Sequence, residues 1–325
     1  MKKRIWYALV PIIISILLLS ISLRKKDGYS SSIIVTIPGG ADTKKIAQLL
    51  EDNGLIKTKC IFVIFVKFRG VEGELKAGRY RLNKGMRIGK IIDKLVKGET
   101  IPCKITIPEG FTLSKIARRL MENGLVNEER FLKLCNDKDF FKRLKFIPRN
   151  NLEGYLFPDT YEIAKGMKEE DIIRMMVDRF KKVVIEKYEA QAKKQGFSIF
   201  EITTLASIIE KEAKVDYERS IISAVYHNRL KRRLNLCACP TVLYALGEHK
   251  ANLSEEDLNI DSPYNTYLYP GLPPGPICSP GEASIRAAVF PKKVDYLYFV
   301  SKGDGTHRFT FTFSQHNRAK RVINK

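Results

Sequence analysis

The chain has 325 residues, of which 44% are hydrophobic and 29% charged, so a largely disordered protein is excluded. Its 21 glycines and 14 prolines are too few for a collagen-like chain, and its six cysteines are too few for a disulfide-rich scaffold. A formal net charge of +21 indicates an anionic partner, such as nucleic acid, an acidic membrane surface or an acidic wall polymer.

An uncharged apolar run of 19 residues occupies positions 5–23, with basic residues on both sides. At about 1.5 Å per residue, a helix of this length would cross the hydrocarbon core of a bilayer. We therefore predict that residues 1–28 form a cytoplasmic stub and a single transmembrane helix. A cleaved signal peptide is the alternative interpretation.

This anchor predicts a single-pass protein of the cell membrane, with a cytoplasmic N-terminus and the bulk of the chain outside. A chain in that location does not meet cytoplasmic nucleic acid, so we expect no nucleic-acid partner. The basic charge would then face the lipid bilayer or a wall polymer.

An internal repeat follows the apolar run. Residues 35–55 read VTIPGGADTKKIAQLLEDNGL and residues 105–125 read ITIPEGFTLSKIARRLMENGL, with 11 of 21 positions identical at a constant offset of 70. Each copy starts with a short strand pattern, continues through a Pro-x-Gly turn and an amphipathic helix, and ends at Asn-Gly. The repeat predicts two strand–turn–helix modules of the same local form.

These modules resemble LysM-type folds, which recognise N-acetylated sugar chains. We predict a first LysM-like module at 33–100 and a second at 101–165, which also holds the EGYLFPDTY segment. A plain spacer role is the alternative for both.

Residues 166–325 are expected to form a separate domain with helices and a few strands, so the predicted fold class is α+β. The predicted elements are helices at 168–188, 202–215 and 282–290, a Pro/Tyr/Gly-rich loop at 261–281, and strands at 296–300 and 307–313.

The helix at 202–215 carries two acids, Glu210 and Glu212, on opposite borders of its apolar stripe. A carboxyl on such a border is partly desolvated, which favours the protonated form that a general acid needs. Two solvated glutamates at the helix edge are the alternative. The helical wheel does not choose between the two acids, although small residues such as Ser207 leave room for a ligand on the Glu210 flank.

Two other segments have a composition that suits a sugar cleft. Residues 152–161 read LEGYLFPDTY, and residues 261–277 read DSPYNTYLYPGLPPGPI. Rigid aromatic rings pack on the apolar faces of sugars, while amides and hydroxyls bind their polar groups. Loop tyrosines packed on the core are the alternative.

Several long motifs, in this order along the chain, resemble those of the YceG-like endolytic murein transglycosylases. They are EGYLFPDTY at 153–161, ASIIEKEA at 206–213, HNRL at 227–230, PTVLYALG at 240–247 and SPYNTYLYPGLPPGPI at 262–277. The resemblance covers nearly the whole chain and implies an extracytoplasmic transglycosylase domain at 166–325. It also implies that Glu210, the first glutamate of the ASIIEKEA motif, is the catalytic residue.

The predicted substrate-binding residues come from these motifs and segments: Glu153, Tyr155, Asp159, Ser207, Asn228, Tyr264, Asn265 and Tyr267. One departure from the family pattern is Cys239, because an acid usually precedes the PTVLYALG motif. We expect no cofactor and no metal. The implied partners are peptidoglycan glycan strands, the lipid bilayer, and a peptidoglycan synthase or the division machinery.

The implied reaction needs only one carboxyl, since the C6 hydroxyl of the muramic acid sugar is a tethered nucleophile. Three alternatives stay open at this point. A muramidase would pair Glu210 with Glu218, Glu212 or Glu153, and a membrane-anchored scaffold would need no catalytic residue at all. A metal site would draw on cysteines and histidines without a recognised zinc spacing: Cys237, Cys239, His227 and His249.

Overall fold

The computed structural model describes residues 31–145, 150–247, 250 and 253–323. The predicted transmembrane helix and its flanks lie outside these residues. In the described part of the chain, no helix is long and apolar enough to cross a membrane. The architecture is α+β, as predicted: most elements are helices, and the strands pair in small two-stranded sheets.

The described chain forms two compact units. The first contains residues up to Lys104 together with Glu162–Met167, and the second contains Ile105–Tyr161 and the residues from Lys168 onward. The division of the sequence into segments 33–100, 101–165 and 166–325 stays a prediction.

The first unit is built on an antiparallel pair of strands, β1 (Ser32–Ile37) and β2 (Gly78–Asn83), with Val35 opposite Tyr80. Alternate residues of β2 are buried, as expected for a sheet that is covered on one face. Helices cover that face and form a single apolar core with the strands: α1 (Thr43–Asp52), α2 (Lys59–Arg69) and α3 (Ile88–Lys97).

The two repeat copies have the same local structure, which confirms the prediction from the repeat. The second copy contains β3 (Cys103–Thr106) and α4 (Leu113–Glu122), at the positions that β1 and α1 occupy in the first. Each helix begins after a side-chain N-cap, with Asp42 accepting from the Lys45 amide and Thr112 from the Lys115 amide. After each helix, a glycine adopts φ 65°, as the left-handed stop requires: Gly54 and Gly124.

The rest of the second unit is mainly helical. After α4 come α5 (Glu128–Leu134) and α6 (Lys138–Arg143). The strand β4 (Thr160–Ile163) pairs with β3, and its last two residues belong to the first unit. The helix predicted at 168–188 consists of α7 (Glu169–Phe180), a π-helical turn at Lys181–Ile185 and the start of α8 (Glu186–Lys194). The following helices are α9 (Ile199–Glu212), α10 (Arg219–Lys231), α11 (Cys239–Leu246), α12 (Glu255–Leu258) and α13 (Glu282–Val289).

A β-hairpin and a helix complete the second unit: β5 (Tyr298–Ser301), β6 (His307–Thr310) and α14 (Phe313–Ile323). The hairpin is antiparallel, with Phe299 opposite Phe309. Its position agrees with the predicted strands, and α13 agrees with the predicted helix at 282–290.

Helix α9 is the central helix of this unit, and it packs against α8, α10, α11 and α13. The sequence predicts one apolar stripe, but the structure buries the whole circumference from Ile202 to Ile209. The hydroxyl-bearing residues tolerate burial because their side chains bond to the helix backbone; Thr203 Oγ1 donates to Ile199 O over 2.7 Å. The polar border that we expected therefore begins only at Glu210.

Candidate active site around Glu210

Glu210 lies in the last turn of α9, and its side chain is only 8% exposed. Three donors converge on its Oε2 atom: Gly281 N at 3.1 Å, Ser284 Oγ at 2.6 Å and Arg219 Nη1 at 3.4 Å. Charge-assisted bonds of this kind stabilise a carboxylate. Glu210 is therefore held in a fixed orientation.

The first turn of α13 supplies two of these donors. Gly281 is the N-cap residue of α13 and donates its backbone N–H, while Ser284, three residues later, donates its side-chain hydroxyl. The helix dipole adds partial positive charge at this end. The eight-residue helix thus orients the carboxyl group.

Arg219 supplies the positive charge of the site from the start of α10. Its Nη1 donates to Ser284 Oγ over 2.6 Å, and its Nε donates to Asp216 Oδ1 over 3.1 Å. The Ser284 hydroxyl therefore accepts from Arg219 and directs its own proton at Glu210. The sequence did not indicate Arg219, Gly281 or Ser284, because they come from two other parts of the chain, the start of α10 and the start of α13.

A second carboxyl group, that of Glu109, lies beside the site and was also not predicted. It belongs to the Pro-Glu-Gly turn of the second repeat; the residue as a whole is exposed, while its carboxyl group packs against Gly281 and is partly buried. Partial burial raises the pKa of Glu109, and the negative charge of Glu210 raises it further, while Arg219 lowers it.

The turn that carries Glu109 is attached to the loop before α13. Gly110 N donates to Ser279 O, and Ser279 N donates to Phe111 O, each over 2.8 Å. A Cβ atom added to Gly110 would lie 3.7 Å from Glu210 Cγ, so this turn packs directly on the catalytic candidate.

Glu212 has different surroundings from Glu210. Its Oε1 accepts a hydrogen bond from the Tyr226 hydroxyl over 3.2 Å. Burial raises the pKa of Glu212 to about 7, and the Tyr226 bond acts in the opposite direction. Among the residues that the structure describes, Glu212 thus has no counterpart of the three donors on Glu210.

Glu153 is buried at the start of α4. Both of its oxygens accept from Leu113 N, at 3.1 and 3.2 Å, and Tyr244 OH donates to Oε2 over 3.4 Å. Burial raises the pKa of Glu153 to about 7. The Tyr244 ring contacts the Tyr264 ring with centroids 4.9 Å apart, so Glu153 and Tyr264, both predicted to bind substrate, belong to one cluster.

The space beside Ser207, which we expected to be open for a ligand, is filled by protein. Ser207 is fully buried, and its Oγ accepts a hydrogen bond from Ile277 N over 3.0 Å. Ser207 O in turn lies 3.4 Å from Cys278 Sγ. These contacts attach the end of the aromatic loop to α9, three residues before Gly281 reaches Glu210.

Several other predicted substrate-binding side chains bond to the protein in this structure. Asp159 forms an ion pair with Arg179 at 2.6 Å. The side-chain amides of Asn228 and Asn265 each donate to two backbone carbonyls, and the Tyr267 hydroxyl lies 3.0 Å from Cys239 Sγ. Their roles in binding stay predictions.

Tyr155 is buried in an edge-to-face cluster with Phe180 and Phe200. It also lines a cavity of about 250 Å³, to which the predicted aromatic loop contributes Leu272, Pro273 and Pro274. The loop and the EGYLFPDTY segment therefore meet at this cavity.

The remaining candidates are the second carboxyl Glu218 and the side chains considered for a metal site. Glu218 is bonded to His307, with Oε2 2.7 Å from Nδ1. Cys237 and Cys239 are free thiols, and a ring nitrogen of His227 lies 2.9 Å from Ala288 O. Across the described residues, no group of three His, Cys, Asp or Glu side chains is placed to hold a metal ion, and His249 lies outside those residues.

Comparisons with known proteins agree on one family. The YceG-like family model matches residues 35–322. An endolytic murein transglycosylase of Bacillus subtilis is 39% identical over 311 residues, which cover 91% of this chain and 86% of the relative. One of Streptococcus pneumoniae is 34% identical and is covered over 56% of its length.

A solved structure of a yceG-like protein from Listeria monocytogenes is also similar. It has a TM-score of 0.62 and 40% sequence identity, and the match covers 88% of this chain and 98% of that one. The chain therefore belongs to the YceG-like family.

Proposed function

We propose that this protein is an endolytic peptidoglycan lytic transglycosylase. It would cleave the β-1,4 bond between N-acetylmuramic acid and N-acetylglucosamine in nascent strands, leave 1,6-anhydro ends and terminate strand elongation. The observation that carries this proposal is Glu210, a nearly buried carboxyl group with three donors on one oxygen. The names of the curated relatives support the same reaction.

In the first step, protonated Glu210 acts as the general acid. The three donors occupy Oε2, so the transferable proton belongs on Oε1. As the bond between C1 of the muramic sugar and the bridging oxygen breaks, its electron pair goes to that oxygen, which takes the proton.

In the second step, the Glu210 carboxylate acts as the base. It removes the proton from the C6 hydroxyl of the muramic sugar while that oxygen bonds to C1. Glu210 is thereby protonated again, and no water is consumed. Gly281, Ser284 and Arg219 stabilise the carboxylate between the two steps, as fixed donors do for developing negative charge.

This mechanism uses a tethered nucleophile in place of a second protein carboxyl. The muramidase alternative would need such a partner. The three carboxyls considered from the sequence have other contacts: Glu218 with His307, Glu212 with Tyr226, and Glu153 with Leu113 N. Their positions favour the single-carboxyl mechanism over a pairing with any of these three.

The test is product analysis by mass spectrometry after digestion of nascent glycan strands. We expect 1,6-anhydro ends from wild type, and a loss of about 10²–10⁴-fold in Glu210→Gln, which cannot exchange a proton. Glu212→Gln is the matched control on the same helix turn. Reducing ends from wild type would identify a hydrolase, and undiminished cleavage by Glu210→Gln would rule out this mechanism.

The predicted anchor indicates where in the cell the enzyme would act. We infer that residues 5–23 hold the protein in the cell membrane by a single span, with the catalytic unit extracytoplasmic. Protease added to intact protoplasts should then remove the C-terminal unit, and complete protection of that unit would contradict this topology.

The LysM-like character of the repeats supports a second proposal about binding. The strand–turn–helix modules would hold glycan strands near the bilayer, where a peptidoglycan synthase or the division machinery releases them. Glycan pull-down with Glu210→Gln, in which cleavage does not consume the ligand, tests this binding. Equal retention by a chain that lacks residues 33–100 would show that this module is a spacer.

A further inference from the structure

The position of Glu109 is specific to the second repeat. In the first copy, the turn reads Pro-Gly-Gly, with Gly39 where the second copy has Glu109. The next glycine has almost the same conformation in both, with φ 74° at Gly40 and 75° at Gly110. The turn therefore forms without a glutamate, and its geometry does not explain Glu109.

The surroundings of the two turns also differ. A Cβ atom added to Gly39 or Gly40 would meet no atom within 4 Å in the described part of the chain. In contrast, the Glu109 carboxyl group packs on Gly281, where an added Cβ would lie 2.0 Å from Glu109 Cδ. The glutamate thus occurs in the copy whose turn borders the Glu210 site.

Gly281 connects the two carboxyl groups. Its N–H donates to Glu210 Oε2, and its Cα faces Glu109. Standard bond lengths then place the Glu109 carboxyl carbon within about 8 Å of that oxygen. Paired carboxyls that flank the scissile bond of glycosidases lie about 5–9.5 Å apart, so this upper limit permits such a pairing.

The two acids, Glu109 and Glu210, differ in their exposure to solvent. Glu210 is nearly buried, whereas Glu109 is exposed at the same place. Glu109 is therefore the more solvent-accessible of the two acids at this place.

The charged groups around Glu109 come from several elements. Glu210 and Lys211 lie on α9, with Lys211 Nζ 3.5 Å from Gly110 O. Asp216 and Arg219 lie just beyond α9 and act on Glu109 with opposite sign. Lys115 of α4 faces Lys211.

We propose that Glu109 is a second catalytic carboxyl of the Glu210 site, which faces the reacting sugar and stabilises the positive charge that develops at its anomeric carbon. This role rests on the proposed transglycosylase function. Glu109 forms no covalent bond and transfers no proton in it. A carboxylate at this place lowers the energy of an oxocarbenium-like transition state by its charge alone.

The main test is cleavage of nascent glycan strands by the full-length chain. Glu109→Gln, which removes the charge, should lower kcat/KM by about tenfold or more, with anhydro ends still the product. Glu109→Asp should recover part of the rate. Glu122→Gln, which alters an exposed glutamate at the other end of α4, is the matched control and should match wild type.

A second variant displaces Glu109 without removing its charge. Gly281 has φ −74°, a backbone conformation that alanine adopts without strain, but the methyl group of Gly281→Ala would overlap the Glu109 carboxyl. It should lower the rate in the wild-type background. In the Glu109→Gly background, which restores the residue of the first repeat and removes the overlap, Gly281→Ala should lower the rate by a smaller factor. An equal loss in both backgrounds would contradict a role for Glu109.

The pH dependence of kcat/KM distinguishes a catalytic role of Glu109 from a purely structural one, because a structural role would leave the shape of the profile unchanged. The active form holds one proton on the pair, on Glu210, with Glu109 ionised. The kcat/KM of wild type should therefore fall on the acid side as the pair takes up a second proton, and Glu109→Gln should lack this acid limb. An unchanged profile and rate in Glu109→Gln, alongside an inactive Glu210→Gln, would overturn this proposal alone. An active Glu210→Gln would overturn the proposed function instead.

Discussion

The hydroxyl group of Ser284 lies between Arg219 and Glu210, with 2.6 Å from its Oγ to Arg219 Nη1 and 2.6 Å to Glu210 Oε2. Because Arg219 donates to this oxygen, the hydroxyl proton is directed at the carboxyl group. Ser284 therefore links the guanidinium group to Glu210 by two short hydrogen bonds, whereas the direct distance from Arg219 Nη1 to Glu210 Oε2 is 3.4 Å.

Ser284→Ala removes this connection and should lower kcat/KM by about ten- to a hundredfold, since a hydrogen bond to a charged group contributes about 1.5–3 kcal/mol. The measurement is the rate of anhydro-end formation, with the melting temperature determined in parallel. Ser223→Ala is the control, because Ser223 is a buried serine of α10 whose hydroxyl has no partner among the described residues. Equal rates in both variants would show that Ser284 does not assist Glu210.

The pKa of Glu212 predicts how stability depends on pH. Its ordinary value is 4.5 and burial raises it to about 7, so the native state binds more protons than the unfolded state between these values. The free energy of unfolding should therefore fall as pH rises through this window, by up to about 3 kcal/mol. Glu153, whose pKa is also raised to about 7, adds a second contribution of the same sign.

Glu212→Gln resembles the protonated carboxyl and should weaken this pH dependence. Urea unfolding at pH 5 and pH 8 measures it: the difference between the two values should be smaller in the variant than in wild type. A difference of the same size would mean that Glu212 is already ionised in the native state at pH 5.

The Glu218–His307 pair attaches the C-terminal hairpin to the turn before α10. Glu218 is 2% exposed, and it accepts from both the backbone N–H and the ring of His307. Glu218→Ala would leave buried polar groups without this partner and should cost about 2–4 kcal/mol in urea unfolding. Glu186→Ala, at an exposed position of α8, should have little effect. If Glu218→Ala unfolded like wild type but lost cleavage, Glu218 would be catalytic instead.

The sequence predicted the elements whose signals are local. The repeat, α13 and the C-terminal hairpin follow from periodicity, caps and turn residues, which act over a few positions. Helix α2 was not predicted, because its sequence KCIFVIFVKFR is rich in β-branched and aromatic residues that favour strands. It is helical through its packing in the first core.

The site was predictable only in part. On the helical wheel, Glu210 and Glu212 occupy equivalent borders of the apolar stripe, and only the family resemblance indicated Glu210 as the catalytic residue. The donors Gly281 and Ser284 lie 71 and 74 residues away in the chain, so they depend on how α9 and α13 pack. Glu109 did leave a signal, because it replaces a glycine within an otherwise repeated turn.

The two repeat helices should differ in the strength of their N-caps. Asp42 is charged and accepts from Lys45 N over 2.7 Å, whereas Thr112 is neutral and accepts from Lys115 N over 3.3 Å. In addition, Glu153 binds the first amide of α4, at Leu113, so this helix start keeps an acceptor without Thr112. A carboxylate at a helix N-terminus also interacts favourably with the dipole.

Asp42→Ala should therefore destabilise its helix by about 1 kcal/mol or more, and Thr112→Ala by less. Hydrogen exchange followed by mass spectrometry of peptides measures this locally. Amides of α1 should exchange about fivefold faster in Asp42→Ala, while those of α4 should change less in Thr112→Ala. Acceleration in α4 that equals or exceeds that in α1 would show that the Glu153 bond does not compensate for the lost threonine cap.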